Sequence, residues 1–187
     1  MNVVSGTGDS PIGPIRDLDG ATALIVGYGS IGRAVEKRLA PFGVTFTRVA
    51  RLARDGVQTV ESLPELLPKA GAVIVLFPMS EATRRLVDAS FLAKMRDGAI
   101  FVNAGRGGVV DTEALRRELE TRRLWAALDV TDPEPLPPDH PLWSAPNLII
   151  TPHIAGSTTR WLERAYALAG AQIRRFAAGE PLLNIRS

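Results

Sequence analysis

The feature that most constrains the fold is a glycine-rich hexapeptide at residues 27–32, Gly-Tyr-Gly-Ser-Ile-Gly. It directly follows the apolar run Leu24, Ile25 and Val26 and opens a segment with helical spacing through Val35 and Leu39. A strand that ends in G-x-G-x-x-G and continues as a helix places the helix N-terminus against the pyrophosphate of a dinucleotide. The sequence therefore predicts a dinucleotide site here, formed by Gly27, Tyr28, Gly29, Ser30, Ile31 and Gly32.

Short apolar runs alternate with helical patterns along the chain. Strands are predicted at 23–26, 44–49, 72–77, 100–102, 125–130 and 148–151, and helices near 31–39, 86–95 and 112–121. In a long final helix, apolar residues recur at three- and four-residue steps, and Ser157 or Thr158 is the predicted cap. This alternation predicts an α/β fold, a Rossmann-type doubly wound parallel sheet with helices on both faces.

Domain organisation follows from the same pattern. Residues 1–20 are rich in glycine and proline and are predicted to be a flexible lead-in, whereas residues 21–187 are predicted to form one dinucleotide-binding domain that includes the final helix. With 45% hydrophobic residues among 187, the chain is long enough to bury one core.

Composition argues against several functional classes. The net charge is only +2 and the arginine pairs are scattered, so we expect no nucleic-acid partner. Because the chain has no cysteine, it has neither disulfides nor a thiolate metal site, and we expect no metal. The sequence contains no apolar run of 18 residues, and residues 1–14 lack the charged and the apolar regions typical of a signal peptide, so we expect no membrane contact and a cytoplasmic location.

The end of the second predicted strand bears on the choice of cofactor. NAD-binding domains carry an acid about 20 residues after the glycine motif, where it holds the ribose 2′-hydroxyl. Here that position reads Val49-Ala50-Arg51, and the first acid is Asp55. Arg51 and Arg54 suit a 2′-phosphate, so NADP is preferred and NAD is the alternative. Both arginines are otherwise interpreted as solvated side chains.

Three polar residues follow predicted strands, where ligands bind in an open parallel sheet. Arg106 offers a guanidinium for a substrate carboxylate. His153 is suited to proton transfer with a carbonyl oxygen, and Glu134 would orient it, with Asp132 and Asp139 as competitors in the same loop. These three residues are therefore candidates for reduction of a small 2-keto acid, or oxidation of the 2-hydroxy acid. The second histidine, His140, is interpreted as a loop residue.

Five segments that contain these residues together resemble the D-2-hydroxyacid dehydrogenases: 27–32, 102–111, 127–130, 133–135 and 151–156. The stretch His-Pro-Leu-Trp-Ser-Ala-Pro-Asn at 140–147 is similar to hydroxypyruvate and glyoxylate reductases of that family. The resemblance implies an oxidoreductase in which Arg106 binds substrate, His153 is the acid/base and Glu134 is its partner. It also implies further cofactor contacts at Pro78, Ala104, Asp129 and His153.

The resemblance carries further expectations. The family associates through this domain, so we expect a homodimer, with the proline-rich loop around Trp143 as an apolar surface. Family members have a substrate domain ahead of the glycine motif, and this chain has only the short lead-in. We therefore expect cofactor binding with little turnover by this chain alone. Two alternatives remain: a cofactor-binding or sensing module without turnover, and a formate dehydrogenase, in which glutamine is expected in place of Glu134.

Overall fold

The computed structural model describes residues 17–183 and 185, so most of the predicted lead-in, residues 1–16, lies outside the described residues. The described chain forms one parallel sheet of six strands in the order β2-β1-β3-β4-β5-β6. The strands are β1 (Thr22–Val26), β2 (Thr45–Val49), β3 (Ala72–Val75), β4 (Ile100–Asn103), β5 (Trp125–Leu128) and β6 (Leu148–Ile150). Strand order reverses between β1 and β3, and ligands of such sheets bind above this reversal.

The helices are α1 (Ser30–Leu39), α2 (Leu63–Leu66), α3 (Ala89–Lys94), α4 (Thr112–Glu120) and α5 (Trp161–Ala177). All six predicted strands are present, with the ends of several shorter than predicted. The short helix α2 was not predicted. The predicted cap of the final helix is wrong: the helix begins at Trp161 with Arg160 as the N-cap residue. Ser157 and Thr158 lie before it, in turns where their amides donate to the carbonyls of Ile154 and Gly156.

Helices cover both faces of the sheet, which confirms the predicted fold class. On one face α2, α3 and α4 pack against a large core that includes Leu24 and Val26. On the other, α1 packs against Ile25 and Ile74. Successive residues of β1 thus point to opposite faces, and both are buried, as expected for a central parallel strand.

The last helix differs from the others. None of the residues of α5, all of which are described, is buried, and its large apolar side chains include Tyr166 and Phe176 at 71% and 75% exposure. Within the described part of the chain, no helix combines the length and the apolar character needed to cross a bilayer.

Candidate active site and cofactor site

The glycine motif forms the turn between β1 and α1. Gly27 has φ +105°, and a Cβ there would stand 2.7 Å from the backbone nitrogen of Phe77, so only glycine fits. The amides of Gly27 and Tyr28 both donate to the carbonyl of Val49, at 2.9 and 2.8 Å, which ties the motif to the end of β2.

The start of α1 is suited to an anion. Apart from Gly29 and its two chain neighbours, no described residue has an atom within 4 Å of the position that a Cβ on Gly29 would take, so the backbone is open to a ligand there. The first turn of α1, which is wholly described, holds no acidic residue and no side-chain cap. A Cβ on Gly32 would lie 3.1 Å from side-chain atoms of Ile25 and Tyr28, so the glycine allows close packing of helix on strand. The residues present therefore fit a dinucleotide pyrophosphate.

The two arginines expected to contact a 2′-phosphate differ in their environment. The Nη2 of Arg54 donates to the carbonyl of Tyr28 at 2.5 Å, and its guanidinium lies 5.8 Å from the centroid of the Tyr28 ring. Among the described residues, the exposed side chain of Arg51 has no hydrogen-bond or ion-pair partner. Arg54 is therefore held against the glycine motif, and Arg51 is not.

Both arginines lie on a loop that returns to β2. The amide of Ala50 donates to the carbonyl of Gln58 at 2.9 Å, and the amide of Gln58 donates to the carbonyl of Arg48 at 2.9 Å. A second backbone pair joins Arg54 and Val57 inside the loop. This closed segment, residues 51–57, is called the arginine loop below.

Arg106 lies in a short turn after β4 that is fixed by a buried asparagine. The side chain of Asn103, only 1% exposed, accepts from the amide of Gly105 at 3.0 Å and donates to the carbonyl of Arg106 at 3.1 Å. A Cβ on Gly107 would stand 1.8 Å from the carbonyl oxygen of Thr131, so the turn also packs directly on the chain after β5. The Arg106 side chain is left at the surface, where Nη1 donates to the carbonyl of Gly105 at 2.7 Å.

His153 and Glu134 lie together at the carboxyl ends of β6 and β5. The Nδ1 of His153 is 2.5 Å from Oε1 of Glu134, and the side chains are 46% and 39% exposed. Because Nδ1 faces the carboxylate, Nε2 is the nitrogen left for a substrate. His153 also has φ +54°, in the left-handed region, so the loop conformation sets the direction of its side chain.

Asp129 holds the loop that carries His153. Its Oδ1 accepts from Oγ1 of Thr151 at 2.6 Å and from the amide of Ile154 at 2.9 Å, and its Oδ2 accepts from the amide of Ala155 at 3.0 Å. Burial raises the pKa of Asp129, but these hydrogen bonds and the electrostatic contribution of the nearby His153 together outweigh it and hold the pKa below its ordinary value of 3.8. The carboxylate is therefore charged at neutral pH and connects β5 to the turn after β6.

The remaining predicted residues fall at the same edge of the sheet. Pro78 follows β3, and its carbonyl accepts from Oγ1 of Thr83 at 2.7 Å. Ala104 follows β4, and its amide donates to the carbonyl of Val75 at 3.2 Å. Within the described residues, the guanidinium of Arg106 contacts neither His153 nor Glu134.

The other candidate acids and the second histidine do not pair with His153 in the described part of the chain. Within the described part of the chain, neither Asp132 nor Asp139 bonds to His153. His140 lies in the loop where it was expected, and its Nδ1 accepts from the amide of Leu142 at 3.1 Å. Among residues 17–183 and 185, no cluster of three or more histidine, cysteine or acidic side chains has the geometry of a metal site.

Four structural partners of the site were not predicted. Thr151 and Asn103 hold the His153 loop and the Arg106 turn, and each is a polar residue at or directly after the end of a strand, which is a usable signal. Glu36 and Arg48 form a two-point ion pair beside Tyr28, with Nε of Arg48 2.8 Å from Oε2 of Glu36. No sequence pattern indicates this pair, because its members lie on different elements.

The sequence profile of the family described as "D-isomer specific 2-hydroxyacid dehydrogenase, NAD binding domain" matches residues 4–155. The chain belongs to this family. Human glyoxylate reductase/hydroxypyruvate reductase is 37% identical over 172 residues, which are 88% of this chain and 52% of the human protein. The chain thus spans about half the length of the curated relatives that it matches.

Solved structures of family members superpose closely on this domain. One from Xanthobacter autotrophicus Py2, in complex with NADPH and MES, is 35% identical with a TM-score of 0.82, covering 92% of this chain and 73% of that one. An NADPH-dependent glyoxylate/hydroxypyruvate reductase from Sinorhizobium meliloti, in complex with NADP and sulfate, is 28% identical with a TM-score of 0.82, covering 92% and 57%.

Proposed function

We propose that this chain is the cofactor-binding and acid/base part of an NADPH-dependent reductase of small 2-keto acids such as glyoxylate or hydroxypyruvate. The observation that carries the proposal is the contact of 2.5 Å between His153 and Glu134 at the carboxyl edge of a sheet whose first turn fits a dinucleotide pyrophosphate. The names of the relatives support the substrate class, and their NADPH and NADP complexes support the cofactor.

Each proposed role follows from position and chemistry. When bound, the cofactor supplies a hydride to the keto carbon. His153 gives a proton from Nε2 to the carbonyl oxygen, while Glu134 holds Nδ1 and stabilises the charged imidazole. The exposed guanidinium of Arg106 binds the substrate carboxylate in a two-point fork. Pro78, Ala104 and Asp129 line the cofactor side of the same edge.

The activity is tested by following NADPH absorbance with glyoxylate and with hydroxypyruvate. Two proteins are compared: the chain as it stands, and the chain with a substrate domain of the family fused ahead of Ile15. We expect reduction of both acids by the fusion. If the fusion binds NADPH but reduces no small 2-keto acid, the reductase proposal is wrong and a binding module without turnover is favoured.

The preference for NADPH rests on Arg51 and Arg54 and on the absence of an acid at Ala50. Replacement Arg51→Asp is expected to weaken NADPH binding by about 1 to 3 kcal/mol, the value of a charge-assisted hydrogen bond, with little effect on NADH. Calorimetric titration of both cofactors measures this. Tighter binding of NADH than of NADPH by the unmodified chain contradicts the preference.

We further propose that the protein is a homodimer. The proposal is supported by large apolar side chains at the surface, including Trp143 at 53% exposure, whose Nε1 is fixed by the carbonyl of Pro137 at 2.8 Å. Light scattering at micromolar concentration is expected to give twice the mass of the chain. A monomeric mass at that concentration contradicts the proposal.

A further inference from the structure

Two arginines lie against the ring of Tyr28, the second residue of the glycine motif. The guanidinium carbon of Arg48 is 5.6 Å from the ring centroid, and that of Arg54 is 5.8 Å from it. Arg54 also donates to the carbonyl of Tyr28. Arg48, the penultimate residue of β2, and Arg54, which is held beside the glycine motif, thus contact the same aromatic ring.

Arg48 carries a second partner, the carboxylate of Glu36 on α1. Nε and Nη2 of Arg48 donate to the two carboxylate oxygens, and the side chains are only 31% and 19% exposed. The hydrogen bond from Arg48 lowers the pKa of Glu36, so the carboxylate is charged at neutral pH. An acid therefore lies beside the glycine motif after all, on α1 rather than at the end of β2.

This acid has consequences for a doubly charged 2′-phosphate. In physiological salt, exposed charges are largely screened only beyond about 8 Å, so the Glu36 carboxylate, which is paired with Arg48 beside Tyr28, would act on a ligand bound at Tyr28 and Arg54. In the folded chain Arg48 cancels the charge of Glu36. We propose that Arg48 is a specificity-determining positioning residue, which masks Glu36 so that the arginine loop can accept a 2′-phosphorylated dinucleotide.

The same residue fixes the arginine loop through its backbone. The carbonyl of Arg48 accepts from the amide of Gln58, and the next carbonyl, that of Val49, accepts from the amides of Gly27 and Tyr28. These backbone bonds do not depend on the Arg48 side chain. A substitution that removes the charge therefore unmasks Glu36 while leaving the loop attached to β2.

The inference rests on the proposed NADPH preference and is tested on the full chain by a double-mutant cycle of Arg48→Met and Glu36→Gln. Calorimetry gives the dissociation constants of NADPH and NADH for each variant. Arg48→Met is expected to weaken NADPH about threefold to tenfold more than NADH, the size expected for a partly screened charge. The double variant is expected to return to the selectivity of the unmodified chain, and high salt to shrink the effect of Arg48→Met.

Arg116→Met provides the matched control. Arg116 makes a similar two-point pair with Glu113, with contacts of 2.8 and 2.6 Å, on α4, which packs on the opposite sheet face from α1. This variant is expected to leave selectivity unchanged, and thermal melting checks that all variants fold.

Two results overturn the inference: equal weakening of both cofactors by Arg48→Met, or no rescue by Glu36→Gln. Each variant is compared with the unmodified chain by the ratio of the two dissociation constants. The cycle therefore gives an answer whichever cofactor the unmodified chain prefers. If the unmodified chain binds NADH more tightly than NADPH, the proposed cofactor preference is wrong. The masking role of Arg48 is contradicted only by the two outcomes of the double-mutant cycle given above.

Discussion

The clearest test of how the site is held together is the substitution Asp129→Asn. The carboxylate accepts hydrogen bonds from Oγ1 of Thr151 and from the amides of Ile154 and Ala155. An asparagine keeps one oxygen, which can serve Thr151 and Ile154. Its amide nitrogen then faces the amide of Ala155, donor against donor.

The expected cost follows from this count. The charge-assisted hydrogen bond from Ala155 is lost, and the two hydrogen bonds from Thr151 and Ile154 now end on a neutral acceptor. Together these changes destabilise the closed form of the loop by about 1 to 3 kcal/mol. Local opening of residues 151–155 should then become roughly 5- to 150-fold more frequent, since 1.4 kcal/mol corresponds to a factor of ten. The global fold should change little, because the affected bonds lie outside the core.

Hydrogen exchange read by NMR measures this opening directly at the amides of Ile154 and Ala155. Asp139→Asn makes the same charge change in the loop after β5 without touching these amides and serves as the control. If both variants exchange at the rate of the unmodified chain, or if both accelerate equally, Asp129 does not hold the His153 loop.

The lowered pKa of Asp129 adds a dependence on pH. A carboxylate with a lowered pKa in the folded chain contributes stability above its ordinary value of 3.8, and this contribution is lost as pH falls through the folded value. Exchange at Ile154 and Ala155, corrected for intrinsic rates, should therefore accelerate below pH 3.8. Asp129→Asn should show no such step; a step that persists assigns the titration to another group.

Two further substitutions test the proposed catalytic role of His153 and the close packing at Gly107. In the fusion with a substrate domain, His153→Ala should abolish keto-acid reduction in kinetic assays and leave NADPH affinity unchanged by calorimetry, because the histidine acts at the carbonyl oxygen; surviving activity would assign the proton to another group. Gly107→Ala should lower the free energy of unfolding in urea by about 3 kcal/mol, because its Cβ would stand 1.8 Å from the carbonyl oxygen of Thr131. Gly156→Ala is the control, because no described residue other than its chain neighbours lies within 4 Å of the added Cβ, and equal midpoints would refute the argument.

The sheet could be predicted from the sequence because its strands are buried on both faces and therefore appear as continuous apolar runs. Some strands were predicted to end too late for the same reason. Leu76 and Phe77, for example, continue the apolar run and are buried, although β3 ends before them. Helix α2 was not predictable, because its four residues with Pro64 are too short to show a helical period.

The neighbourhood of the site was predictable from strand order alone. Arg106, Glu134 and His153 follow β4, β5 and β6, and parallel strands bring their carboxyl ends to one edge. Their roles stay predictions. The triple contact of Asp129 and the pairing of Arg48 with Glu36 depend on the conformations of loops and on helix-to-strand packing, which no spacing in the sequence encodes.

The way the arginine loop closes has a consequence for recombination between related domains. Its two ends meet at a backbone pair, Ala50 with Gln58, so the segment between them can change in length and sequence without moving β2. The entropy of closing such a segment grows only slowly with its length. Exchange of residues 51–57 for the equivalent stretch of a family member that prefers the other cofactor is therefore expected to be modular: the new loop should bring its own cofactor contacts, and the sheet beneath it should keep its register.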